Sequence, residues 1–88
     1  SRKDHRRQIE VGHDVAAQLA GGERRIGGVM IESHLEGGRQ DLRPGQPLQH
    51  GVSITDACLG WDDSAALLHH LAEGVRTRRR LVRREAPR

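Results

Sequence analysis

IGGVMIE at residues 26–32 and VSITD at residues 52–56 are the two stretches of the sequence that decide its fold. Each is a short apolar run that leads directly into a carboxylate. The run from Ile26 to Ile31 does not alternate apolar and polar residues, which favours a parallel strand that is buried on both faces. The run from Val52 to Thr55 predicts a second strand.

Glu32 and Asp56 occupy the same position relative to these two predicted strands, directly after the last residue of each. Catalytic and ligand-binding groups of parallel α/β folds gather at the C-terminal ends of strands, so neighbouring strands would bring the two carboxylates together. Facing carboxylates repel each other unless a proton or a divalent cation lies between them, and their hard oxygens suit Mg, Mn or Fe(II). The alternative interpretation is that both are ordinary loop or cap residues.

A helix is predicted over residues 3–20, and a long loop over residues 35–51. The helix carries an apolar stripe made of Val11, Val15, Ala16 and Leu19. Gly21-Gly22 is a typical helix C-terminus, because glycine adopts the left-handed conformation without strain. The loop contains six glycines and prolines, which favour turns.

A second helix is predicted after the second strand, with Asp62 or Asp63 as its N-cap. Its apolar face consists of Leu67, Leu68, Leu71, Ala72 and Val75. The order helix, strand, loop, strand, helix indicates an α/β fold. Because two strands cannot form a stable parallel sheet that is covered on both faces, the pattern predicts further strands upstream of this sequence.

The composition is poor in core-forming residues. Hydrophobic residues make up 34% of the 88 residues, and Trp61 is the only aromatic residue; globular domains contain about 45–50% apolar residues. Cys58 is the only cysteine, so no internal disulfide is expected. No apolar run approaches the roughly 20 residues that span a bilayer. We therefore expect a cytoplasmic protein that needs contacts from outside this segment to fold.

The basic charge is concentrated at the C-terminus. Residues 76–88 contain seven arginines and one acid, whereas the remaining residues carry eight basic and eleven acidic side chains. Residues 80–88 are expected to form a disordered basic tail. Such a tail can bind nucleic acid through phosphates, although no recognition module or aromatic platform accompanies it.

Histidines offer a further set of metal-ligand candidates. His69 and His70 are adjacent on the second predicted helix, so they point about 100° apart and cannot easily hold one ion from one face. We expect both to be surface residues. His34 follows Glu32 closely, and a structural role is expected for it rather than a role in metal binding.

Two longer blocks, GVMIESHL at residues 28–35 and SITDACLGW at residues 53–61, resemble the last two barrel strands of the class I DAHP synthases. The resemblance extends over residues 1–79. It implies the C-terminal portion of a (β/α)8 barrel that condenses phosphoenolpyruvate with erythrose 4-phosphate, in an enzyme that is expected to be a homo-oligomer. It further implies one divalent metal ion of the Mn, Fe, Co or Zn type.

The resemblance assigns two of the four metal ligands to this sequence, Glu32 and Asp56. The family's ligand cysteine and ligand histidine belong to upstream motifs, and Cys58 is not the ligand cysteine. The sequence departs from the family at residues 37–40, which read GGRQ, and at Val52. The isolated segment is expected to be inactive. The alternatives are a basic nucleic-acid-binding protein and a remnant without catalytic activity.

Overall fold

The computed structural model describes residues 4–85 and contains two helices. Helix α1 is Arg7–Ala20 and helix α2 is Trp61–Glu85. Residues 21–60 connect them through turns, bends and three isolated β-bridges. Both predicted helices are therefore present, although α1 begins at Arg7 rather than at residue 3, which lies outside the described residues.

The prediction of two strands is wrong for the described residues 4–85, because neither 26–31 nor 52–55 forms a regular strand. The two segments pair just beyond the predicted strands, where Ser33 forms a parallel bridge with Leu59. A strand pairs its backbone N–H and C=O groups with those of neighbouring strands. The described residues contain too few strand-forming segments to provide these partners. Met30 in the first predicted strand is 88% exposed. The middle of the apolar run is thus exposed to solvent, whereas Ile26 and Ile31 at its ends pack against the core.

Helix α1 ends at the predicted glycine pair. Gly22 has a φ of 98°, in the left-handed region that favours glycine. The backbone N–H of Gly21 donates to Ala17 O at 2.9 Å, and that of Glu23 donates to Gln18 O at 2.9 Å. These bonds satisfy carbonyls that the end of a helix would otherwise leave unpaired.

Helix α2 begins at Trp61, before both of the predicted N-cap residues. The carbonyl of Gly60 accepts the N–H of Ser64 at 3.0 Å, and Asp62 and Asp63 lie within the first turn. The prediction that one of these aspartates is the N-cap is therefore wrong. Trp61 N donates to Leu35 O at 3.1 Å, and this tertiary bond fixes where the chain enters the helix. The two carboxylates still favour this end of α2 through the helix dipole.

The C-terminal arginines continue helix α2 through residue 85, where a disordered tail was predicted from residue 80. Arg78 holds this part of the helix against the segment that follows α1. Its guanidinium donates to Glu23 O at 3.1 Å and to Ile26 O at 2.9 Å, on the segment that follows α1. Residues 86–88 lie outside the described residues, and a division of the chain near residue 79 stays a prediction.

The two helices run in parallel and share a small core. Its buried apolar residues are Ala16, Leu19, Leu59, Leu67 and Leu71. Two glycines allow the close approach. A Cβ on Gly12 would lie 2.5 Å from Leu67 Cδ1, and one on Gly74 would lie 2.8 Å from Ala16 O. Two members of the predicted apolar faces are exposed instead of buried, Val11 to 54% and Leu68 to 57%.

The molecule exposes more surface than a self-contained domain of its size. Its accessible area is 6984 Å², whereas a folded protein of 9.8 kDa exposes about 5,200 Å². Its radius of gyration is 17.1 Å, against about 12 Å for a compact chain of this length. This surface includes large apolar side chains such as Met30 and Trp61. Neither α1 nor α2, the helices described between residues 4 and 85, is long and apolar enough to cross a membrane.

Replacing Gly74 by Ala is expected to destabilise the helix pair, although Ala is the better helix former by about 1 kcal/mol. The added Cβ would meet the backbone oxygen of Ala16 at 2.8 Å, and overpacking of this kind costs about 1–3 kcal/mol. The thermal transition of the complete protein measures the effect. Gly27→Ala is the control, because nothing lies within 4 Å of its added Cβ. A Gly74→Ala protein that is more stable than the parent would contradict the close contact.

Candidate metal site

Glu32 and Asp56 line the same cleft, which has a volume of about 370 Å³. The other residues that line it are Asp4, His5, Gln8, Met30 and Ala57. The structure therefore places the two sequence-predicted carboxylates at one site although 23 residues separate them along the chain. Both residues are exposed to solvent, so an ion or a substrate can reach them.

The backbone of Glu32 is held by the side-chain amide of Gln8. Gln8 Nε2 donates to Glu32 O at 3.0 Å, and the backbone N–H of Glu32 donates to Gln8 Oε1 at 2.8 Å. The carbonyl of Glu32 also accepts the backbone N–H of Leu59 at 2.9 Å. One residue of α1 and one from the end of the connecting segment thus fix the position from which the Glu32 side chain extends.

Asp56 lies in a segment that is held by its neighbours. The carbonyl of Thr55 accepts Arg39 Nε at 2.9 Å, and the thiol of Cys58 donates to the carbonyl of Asp56 at 3.4 Å. Cys58 also exchanges two backbone hydrogen bonds with Gly38, of 2.8 and 3.1 Å. These bonds use backbone groups on either side of the carboxylate and leave the Asp56 side chain free to bind.

The two carboxylates fit one half of a metal site. Within residues 4–85, neither the Glu32 nor the Asp56 carboxylate forms a hydrogen bond or an ion pair. Their oxygen lone pairs are therefore available to a divalent cation, for which carboxylates are suitable ligands. No group of three His, Cys, Asp or Glu side chains in the described part of the chain could hold an ion. A complete coordination shell would need further ligands.

Sequence reasoning missed the contribution of the N-terminal end of α1, which brings Asp4, His5 and Gln8 to the cleft. A signal for it exists, because a helix in a βα unit starts at the same end where the preceding strand finishes. The polar residues just before and at the start of α1 could therefore have been assigned to the side of Glu32. The backbone N–H of Arg6 donates to Asp4 and holds the pKa of that carboxyl below its usual value.

The remaining sequence candidates lie elsewhere. His34 lines a separate, largely apolar cleft of about 390 Å³ with Trp61, Ser64 and Leu68. Its Nδ1 accepts the backbone N–H of Leu35 at 2.9 Å, which agrees with a structural role. His69 and His70 are exposed on α2 and are not among the residues that line the carboxylate cleft.

Comparison with known proteins finds one family throughout. The model of the DAHP synthetase I family matches residues 1–69. The chain is 54% identical over 79 residues to the Phe-sensitive phospho-2-dehydro-3-deoxyheptonate aldolase of Escherichia coli K12, covering 90% of this chain and 23% of that protein. It is 51% identical over 83 residues to the tyrosine-inhibited enzyme of Schizosaccharomyces pombe, covering 90% of this chain and 22% of that protein.

A solved structure shows the same similarity in three dimensions. The phospho-2-dehydro-3-deoxyheptonate aldolase of Francisella tularensis SCHU S4 superimposes with a TM-score of 0.81 at 42% identity, over 88% of this chain and 22% of that one. The chain thus spans less than a quarter of the length of these relatives. The resemblance predicted from the two sequence blocks is confirmed, and the chain belongs to the DAHP synthetase I family.

Proposed function

We propose that this chain is the C-terminal part of a 3-deoxy-7-phosphoheptulonate synthase, a (β/α)8-barrel transferase. The complete enzyme would condense phosphoenolpyruvate with erythrose 4-phosphate to DAHP and phosphate, the entry step to the aromatic amino acids. The observation that carries the proposal is the placement of Glu32 and Asp56 in one cleft, in a chain that is 54% identical to a relative named for this activity. The 88 residues alone would be inactive.

Glu32 and Asp56 would supply two of four ligands to one divalent ion of the Mn, Fe, Co or Zn type. When bound, such an ion supplies Lewis-acid polarisation of a substrate oxygen. The residues of this chain would hold it with two negative charges, and Gln8 would fix the backbone of one ligand through its two hydrogen bonds. The remaining ligands and the groups that bind the substrate phosphates would come from upstream parts of the enzyme.

The test is made on the complete protein. Its coding sequence should extend in frame upstream of Ser1, and the purified product should form DAHP from the two substrates. Chelation should remove the activity, and added divalent metal should restore it. An upstream reading frame unrelated to the family, or a complete protein that does not consume phosphoenolpyruvate, would contradict the proposal. The homo-oligomeric state and the cytoplasmic location stay predictions for that protein.

Replacing Gln8 by Leu should weaken metal binding without removing a ligand. The change deletes both hydrogen bonds to the Glu32 backbone, and loss of a group that orients a ligand costs about 10–100-fold in metal affinity. Metal titration of turnover in the complete protein measures the shift. Gln18→Leu is the matched control, because the Gln18 side chain bonds only the exposed Asp14 on the same helix. Equal effects of both changes would show that the Gln8 contact is unimportant.

Nucleic-acid binding by the arginine-rich end remains the alternative, and two arginines of that end are engaged within the molecule. Arg78 donates to two backbone carbonyls, and Arg76 pairs with Glu73. Arginines that are engaged within the molecule are less available to phosphates. Salt-sensitive retention of DNA by this chain, lost when residues 76–88 are deleted, would favour the alternative.

A further inference from the structure

Two imidazole rings meet across the helix pair, away from the carboxylate cleft. His13 projects from α1 and His70 from α2, and their ring centroids are 4.2 Å apart with the planes tilted by 35°. Both residues are exposed to solvent. The adjacent His69 does not take part in this contact. The histidine that pairs with His70 is thus on the other helix, a contact that sequence spacing cannot reveal.

The helix backbones hold the two histidines opposite each other. Gly12 packs against Leu67, and Gly74 packs against Ala16, with hypothetical Cβ contacts of 2.5 and 2.8 Å. His13 lies between Gly12 and Ala16 in sequence, and His70 lies between Leu67 and Gly74. The helices are therefore in close contact on both sides of the ring pair. The distance between the histidine backbones is set by this packing rather than by the rotamer of either side chain.

The ring nitrogens are available as ligands. Within residues 4–85, neither the His13 nor the His70 imidazole makes a hydrogen bond or an ion pair. Zn²⁺, Ni²⁺ and Cu²⁺ favour imidazole nitrogen, and Zn²⁺ binds it at about 2.0–2.1 Å. Two rings at 4.2 Å need only side-chain rotation to place one nitrogen each on a shared ion, with water completing the shell. The nearby carboxylate of Glu73 pairs with Arg76.

We propose that His13 and His70 form a second metal site, which binds a divalent ion of the Zn²⁺ or Ni²⁺ type and ties α1 to α2. The site is separate from Glu32 and Asp56 and uses softer ligands. Because an ion bound by both histidines recognises only the packed helices, its binding stabilises the folded chain. The role of the site is structural, since it joins the two helices that carry most of the buried core.

The proposal is tested on the complete protein carrying Glu32→Ala and Asp56→Ala, so that the first site does not contribute. Ni²⁺ binding is measured by calorimetry, and helix content and thermal midpoint by circular dichroism with and without Ni²⁺. His13→Ala and His70→Ala should each lower Ni²⁺ affinity by about 10–100-fold or more, at least the effect of losing a group that only orients a ligand. In free energy, the loss of Ni²⁺ affinity in the double variant should be smaller than the sum of the two single losses, because both histidines hold the same ion. Ni²⁺ should raise the thermal midpoint of the parent but not that of His13→Ala, His70→Ala or the double variant.

His69→Ala is the matched control, since it removes the neighbouring exposed histidine of the same helix. It should leave Ni²⁺ affinity and the metal-dependent gain in stability unchanged. Similar losses for His13→Ala, His69→Ala and His70→Ala would mean that the histidines bind independently, as in an unfolded chain, and would overturn the proposal. The absence of any Ni²⁺-dependent gain in the parent would overturn it as well.

Discussion

The complete protein with Asp56→Ala is expected to lose bound metal and to turn over more than about 100-fold more slowly than the parent, since a lost ligand costs at least as much as a lost orienting group. Asp56 lines the cleft together with Glu32, and its carboxylate has no partner within residues 4–85 that could make it a structural residue. Its removal would leave Glu32 as the one remaining proposed ligand in this segment. Glu32→Ala is expected to behave in the same way.

Metal content of the purified protein and the rate of DAHP formation across a metal titration separate the two effects. Activity that returns at high metal concentration indicates weakened binding, whereas activity that stays low indicates a changed metal environment. Asp63→Ala is the control, because it removes the same charge from an exposed position in the first turn of α2. An Asp56→Ala protein that retains both metal and turnover would exclude the assigned role.

Replacing Leu59 by Ala is expected to give the largest loss of stability among the core residues of this segment. Leu59 is fully buried, with 0% of its surface exposed, and truncation of a buried leucine costs about 2–5 kcal/mol. Its backbone also bonds Glu32 O and His34 N, at 2.9 and 2.8 Å. A cavity at this position should therefore loosen the segment that carries a proposed metal ligand, and weaken metal binding as well as folding.

Urea unfolding of the complete protein measures the change in the free energy of unfolding. Leu68→Ala is the matched control: it removes the same atoms from a side chain that is 57% exposed, and a change within about 0.5 kcal/mol is expected. Equal losses for the two variants would mean that Leu68 is covered or that Leu59 is not a core residue of the complete protein.

The failure of the strand prediction has a clear physical reason. The run around Val29 and Met30 has the composition of a buried strand, yet these residues are 50% and 88% exposed. The composition of a segment indicates whether it suits the interior of a sheet. A strand forms only when neighbouring strands pair with its backbone N–H and C=O groups. Within residues 4–85 the run finds no such partner strands. Because this pairing is missing, a large apolar surface is exposed to solvent.

Sequence signals predicted the structure correctly where it depends on interactions between residues close together in the sequence. Gly22 ends α1 with a positive φ, as glycine does without strain in any context. The N-cap prediction for α2 was wrong because a tertiary hydrogen bond from Trp61 N to Leu35 O holds the chain where the helix begins, ahead of both aspartates. Asp62 and Asp63 are residues with a high propensity for the N-cap. Contacts between distant segments place them in the first turn of α2 instead.

The sequence by itself determined the two helices, the glycine end of α1, the family, and Glu32 and Asp56 as candidate ligands. Each of these depends on residue type and spacing along the chain. The tertiary structure alone decided that Gln8 holds the Glu32 backbone and that His13 faces His70. Those contacts join residues 24 and 57 positions apart. The histidine contact exists because Gly12 and Gly74 let the two helices pack closely, which no local pattern encodes.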